Sequence, residues 1–253
     1  MLFFLLILAL IAANAVYTYP RITRAYRIAH NGHVYTGRYL IGSPKNKNFR
    51  LLVLGDSGIT GQEVPTFTDS AGGRLACMLA QQHYVEYLNQ AGMGKWVGDI
   101  EHEQISGQWD LAVLALGSND LLHDGDFKIF KRNLNKLMAK LSEHATTIIV
   151  AGPGEISKSK IFPWWYRIIL YSRQRRYAAT INKAVTKVGG YYFNPLTEPQ
   201  IFEHMAKDGL HLGVKGNHLF ANALWRTWLT SQSSEPQEIH SESIESVVVK
   251  ENA

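Results

Sequence analysis

The sequence predicts an α/β domain: a parallel sheet covered by helices on both sides. Three near-continuous apolar runs carry that expectation, Phe49–Gly55, Asp110–Gly117 and Thr146–Gly154. Strands buried on both faces lose the apolar–polar alternation of half-exposed ones. Between the runs stand segments with apolar residues at helical spacing, the alternation that builds a crossover-connected sheet. Each run also stops in polar or glycine-rich residues, and the carboxyl ends of strands are where such sheets place their sites. The chain has 253 residues and one cysteine, Cys77. That length buries a sizeable core unaided, and a single thiol excludes an internal disulfide framework. Cys77 has small and apolar neighbours at helical spacing and reads as a buried helix position rather than a nucleophile.

Residues 1–19, MLFFLLILALIAANAVYTY, read as a transmembrane anchor or an uncleaved signal segment. Ala13-Asn14-Ala15 is a small-x-small cleavage site, but no Lys or Arg precedes the apolar run. Tyr17 and Tyr19, followed by Arg21, Arg24 and Arg27, favour a retained single-pass anchor with the rest of the chain facing the cytoplasm. Export after signal cleavage is the alternative. Residues 20–48 form a basic juxtamembrane segment, with a short hairpin expected in HVYTGRYLIG; from Arg21 to Arg50 there are seven basic residues and no acidic one.

Residues 49–230 hold the domain itself. After the strand Phe49–Gly55 come a helix over Gly72–Tyr84, a short strand over Tyr84–Asn89 and the turn NQAGMGKW. The strand Asp110–Gly117 leads to an amphipathic helix, Phe127–His144, and the strand Thr146–Gly154 to a helix over Trp165–Val188. A fourth strand, Gly190–Leu196, and a last helix, Val214–Leu229, complete it. Residues 231–253 are polar and acidic and are expected to be disordered.

The strand ends carry the chemistry. Asp56 and Ser57 follow the first strand, Asn119 and Asp120 follow the second, and Asp208 and His211 stand three apart just before the last helix. A serine hydroxyl is a weak nucleophile until a base takes its proton and an acid orients that base. Ser57, His211 and Asp208 supply those three roles. The Ser57 N–H, the Asn119 amide and an N–H of the Gly92–Gly94 turn are candidate donors to a developing oxyanion. The plainer readings are that Ser57 caps a helix and that Asn119 and Asp120 make a turn and cap, which for Asp120 is the better one.

In these residues the chain resembles the SGNH (GDSL) hydrolases. Gly55-Asp56-Ser57, the glycine turn, Gly117-Ser118-Asn119-Asp120 and Asp208-Gly209-Leu210-His211 look like that family's four blocks in order and spacing, over roughly Phe49 to Leu229. The resemblance implies a three-layer flavodoxin-like fold and hydrolysis of esters or thioesters through a Ser–His–Asp triad, with no metal or other cofactor. By position it makes Ser57, Asp208 and His211 the catalytic residues and Ser57, Gly94 and Asn119 the oxyanion hole. Trp96 departs from the family, which often has a small polar residue two places after the oxyanion glycine, and this leaves Gly92 as a competitor to Gly94. An α/β-hydrolase elbow would need glycine where Ile59 stands.

The expected substrate is an acyl ester, with a lipid-like ester or thioester at a membrane as the first reading. A carbohydrate O-acetylesterase and a catalytically silent membrane-tethered binding protein are the alternatives. Phe162–Tyr171 combines aromatics, an Ile-Ile-Leu run and basic residues, which suits either an interfacial helix or one packed on the sheet with its arginines solvated. The net charge of +5 is modest, and no motif for reading nucleic acid accompanies it.

Overall fold

The computed structural model describes residues 33–123, 125–233 and 249–251, with isolated helical positions at 12, 13, 16, 19, 20 and 23. Most of the anchor expected over residues 1–19, and the basic stretch up to His30, lie outside the described residues. Among the described residues no helix is long and apolar enough to cross a membrane.

Seven strands form one sheet: β1 (Gly37–Ile41), β2 (Lys47–Gly55), β3 (His83–Asn89), β4 (Trp109–Ala115), β5 (Ala145–Ala151), β6 (Tyr191–Phe193) and β7 (Val249–Glu251). Their order is β6-β5-β4-β2-β3-β1-β7. The five strands from β6 to β3 run parallel. Counted along the chain, they follow the doubly wound order in which the first strand lies between the second and the third. The expected all-parallel sheet is corrected at one edge, where β1 pairs antiparallel with β3 and β7 antiparallel with β1. The edge strands differ from the central ones for a simple reason. β1 buries Tyr39 and Ile41, leaves Leu40 between them partly exposed and exposes Arg38 before them, so its pattern has period two, whereas Leu51–Leu54 of β2 are buried without a break.

The helices are α1 (Ala71–Ala80), α2 (Val97–His102), α3 (Ser118–Leu122), α4 (Phe127–His144), α5 (Trp164–Lys187) and α6 (Val214–Gln232). Alternate residues of each central strand face opposite layers. Leu51, Val53, Leu111 and Val113 pack with α1 and α6, while Leu52, Leu54, Ala112 and Leu114 pack with α2, α4 and α5. Burying a side chain of this kind stabilises the fold by about 1.5–3 kcal/mol, so the central strands dominate the core. Caps fix where the helices begin. Ser70 Oγ accepts from the Gly73 N–H at 3.0 Å in α1, and Asp126 accepts from the Lys128 N–H at 2.7 Å in α4.

Three expected boundaries move. HVYTGRYLIG contains one strand and no hairpin, and it belongs to the domain: the Asn89 amide donates to the Tyr35 carbonyl at 2.7 Å, and Tyr39 stacks on Phe67. The first helix ends at Ala80 instead of Tyr84, because β3 starts at His83 to pair with β2. Within the tail, Val249–Glu251 forms a strand on β1; residues 234–248 lie outside the described residues. Cys77 is fully buried in α1, and that burial pushes its thiol pKa up to about 11.

Candidate active site

β2 and β4 are neighbours at the point where the strand order reverses, and their carboxyl ends open a crevice there. Gly55 closes β2 with a φ of 148°, and a Cβ on it would lie 2.2 Å from the Ala115 carbonyl oxygen of β4. Only glycine allows this approach. The chain then turns, and the buried Asp56 carboxylate holds the turn: one oxygen accepts from the Gly58 N–H at 2.9 Å, the other from the Ser118 N–H at 3.2 Å. Asp56 thus ties the loop after β2 to the first turn of α3. Its burial is the largest influence on its pKa and raises it, against the opposing pull of these N–H donors and the Ser118 hydroxyl.

Ser57 stands half-buried on that turn. Its Oγ lies 2.9 Å from His211 Nε2, and His211 Nδ1 lies 2.5 Å from Asp208 Oδ2. The second Asp208 oxygen accepts from the Leu210 and His211 N–H groups at 2.9 and 3.0 Å. Asp208 and His211 sit in a tight loop. Gly209 has a φ of 71°, its N–H donates to the Ala206 carbonyl, and Met205 pairs with Leu212 across the base. Burial opposes the charge on Asp208, but the His211 ring and the two N–H donors outweigh it, so its pKa lies below the ordinary aspartate value. An anionic Asp208 on Nδ1 fixes the tautomer in which Nε2 accepts from the Ser57 hydroxyl.

Asn119 is the second residue of α3, and its side-chain amide donates to the Lys95 carbonyl at 2.9 Å. The amide carries a further N–H. Ser57, Ser118, Asn119 and His211 line one cleft, about 90 Å³ in volume, with Gly152, Gly154, Ile156 and Phe202 among its other walls. Gly94 does not line it. The structure therefore brings together Ser57, Asn119, Asp208 and His211, and leaves Gly94 on the adjoining loop with φ 67° and open space around it. Gly92 is the poorer donor, because its N–H is bonded to the Gly55 carbonyl at 3.0 Å. Trp96, the departure from the family pattern, stacks on His123 away from the cleft and starts α2.

Two features escaped sequence reasoning. Asp120 caps a helix other than its own, accepting from the Val97 N–H of α2 at 3.0 Å. Burial raises its pKa to about 6, with the nearby Asp56 adding to the effect. Phe202 packs edge-on against Gly154, where a Cβ would lie 2.4 Å from the ring, and both line the cleft. The apolar strand ending in Gly-Pro-Gly pointed to one side of that contact; nothing local to Phe202 pointed to the other. Among the described residues no group of three His, Cys, Asp or Glu side chains is placed to hold a metal ion.

The comparisons with known proteins bear on this geometry. A family model described as the GDSL-like Lipase/Acylhydrolase family matches residues 53–219. The fold is similar to that of Axe2, an acetylxylan esterase from Geobacillus stearothermophilus, with a TM-score of 0.54 at 16% identity over 72% of this chain and 94% of that one. It is also similar to esterase EstA from Pseudoalteromonas sp., at TM-score 0.54 and 15% identity over 72% and 98% of the two chains. A member of the lipolytic protein G-D-S-L family from Veillonella parvula gives TM-score 0.54 at 15% identity over 70% and 96%. At such identities the likeness concerns the fold alone. No curated protein matches the chain.

Proposed function

The chain belongs to the GDSL-like lipase/acylhydrolase family and is an ester hydrolase, and from that premise we propose that it works through an acyl-Ser57 intermediate on esters of short acyl groups. The observation that carries the mechanism is the hydrogen-bonded series Ser57 Oγ, His211 Nε2, His211 Nδ1, Asp208 Oδ2.

Ser57 Oγ attacks the acyl carbonyl while His211 Nε2 takes its proton, and Asp208 stabilises the imidazolium that results. The carbonyl oxygen gains negative charge, which the Ser57 N–H and the remaining Asn119 amide N–H are proposed to receive. His211 then passes its proton to the leaving alcohol oxygen as the C–O bond breaks. In the second half, water gives its proton to His211 and attacks the acyl carbon. Collapse of that intermediate returns the proton to Ser57 Oγ and releases the acid. Gly94 joins the donors only if the loop carrying it moves toward the cleft.

The acyl size is argued from volume. A cavity of about 150 Å³ holds a benzene molecule, so roughly 90 Å³ beside Ser57 suits an acetyl or propionyl group. Phe202 against Gly154 is proposed as the wall that sets this limit. An O-acetyl ester, the reaction named for Axe2, fits that space. The lipid-like ester or thioester is a second reading, favoured by the exposed aromatic and basic helix start close to the cleft. The N-terminal anchor and the cytoplasmic orientation rest on the sequence pattern.

A p-nitrophenyl ester series from acetate to decanoate tests the reading. Turnover is expected to peak at the short esters, and Phe202→Ala is expected to shift the preference toward longer chains. A wild-type optimum at decanoate would sink the short-acyl proposal and favour the lipid reading.

A further inference from the structure

The first two turns of α5 expose a set of large apolar side chains that the fold does not use. Trp164 is 72% exposed, Ile168 61%, Tyr171 45%, Trp165 42% and Ile169 39%. Their spacing places them along one side of the helix, while Leu170, Gln174 and Tyr177 face the core. Such large apolar groups gathered on one surface mark an interaction site. The segment that carries them has charge of one sign: between Ile156 and Thr197 the chain has eight Lys or Arg and no Asp or Glu, with Lys158 paired to Glu155 just before it. Lys160 and Arg175 are exposed, and the Arg175 guanidinium lies 4.5 Å from the centre of the Tyr171 ring.

The patch is also coupled to the site. Ser159 Oγ donates to the Gly209 carbonyl at 2.6 Å, inside the loop that holds Asp208 and His211, and Ile161 packs against Gly209. Arg167 donates to the Ser157 carbonyl at 2.7 Å, fastening the start of α5 to the segment that brings Gly154 and Ile156 to the cleft wall.

We propose that the exposed Trp164, Trp165, Ile168, Ile169 and Tyr171 at the start of α5, framed by Lys160 and Arg175, dock on the surface of an anionic lipid bilayer beside the cleft. Tryptophan and tyrosine rings settle at headgroup depth, isoleucines reach the acyl boundary, and the basic groups meet lipid phosphates. The charge complementarity selects a bilayer over a second copy of this basic face. Docking positions the domain and does not depend on the ester reading.

The test uses the full chain with phosphatidylcholine vesicles, with and without phosphatidylserine, whose acyl chains carry bromine as a quencher of tryptophan emission. Quenching that is stronger with phosphatidylserine and is lost in the Trp164→Phe/Trp165→Phe variant supports docking. Quenching unchanged in that variant overturns it. So does a Trp164→Glu/Ile168→Glu variant that converts a dimer to a monomer without changing the quenching, since the patch would then cover a second copy. Turnover of soluble p-nitrophenyl acetate, measured beside these, is expected to be the same in every variant. If it is absent throughout while quenching behaves as expected, the ester reading fails and the docking stands.

Discussion

His211 faces two partners at once, and the consequences of removing each are different. Ser57→Ala or His211→Ala is expected to lower kcat by roughly 10⁴-fold or more, because nucleophile and base act as a unit. Combining the two should cost little beyond either alone. Asn119→Ala is expected to reduce kcat by about 10²–10³-fold, with KM nearly unchanged, since its donor matters once the oxyanion forms; steady-state kinetics on p-nitrophenyl acetate checks both. These residues were legible because each pattern is local: Gly-Asp-Ser closes an apolar run, Ser-Asn-Asp closes another, and Asp208 reaches His211 within one turn of chain. Phe202 was not legible, because only the tertiary fold lays it on Gly154. The role of Asp56 was hidden for the same reason, since its second oxygen serves a residue of α3.

At the level of elements, the site depends on how closely β2 and β4 approach. Gly55→Ala would force a Cβ into the Ala115 carbonyl oxygen and hold alanine at a φ of 148°. A destabilisation of about 1–3 kcal/mol or more is expected, read as a lower denaturation midpoint, together with lost activity as the Ser57 turn shifts. The central strands and the amphipathic α4 could be read in advance because buried parallel strands and one-sided helices have strong periods. The antiparallel edge could not. β1 is five residues long and β7 three, and their pairing joins the two ends of the described domain, which no local pattern encodes. The start of α2 at Val97 was partly hidden: Asp99 caps it locally through the Trp96 N–H, but Asp120 caps it from another part of the chain.

For the molecule as a whole, the buried carboxylates shape the pH dependence of stability. Asp120 has a folded pKa of about 6, above the ordinary 3.8. Between those values the unfolded chain has released this proton and the folded chain retains it, so the contribution of Asp120 to stability falls as pH rises through that window. Asp208, lowered in the fold, acts in the opposite sense: its contribution is present above the ordinary value and is lost as pH falls through the folded one. Asp120→Asn keeps an acceptor for the Val97 N–H and removes the first slope. Its denaturation free energy, relative to wild type, is expected to improve from pH 4 to pH 6 by at most about 3 kcal/mol. The central claim is that this fold serves one reaction centre with Ser57 as its nucleophile. Labelling the full chain with a fluorophosphonate and mapping the adduct by mass spectrometry tests it most directly. The expected result is a single adduct on the peptide containing Ser57, absent in Ser57→Ala and strongly slowed in His211→Ala; an active enzyme that stays unlabelled at Ser57, or labels equally fast without His211, would contradict it.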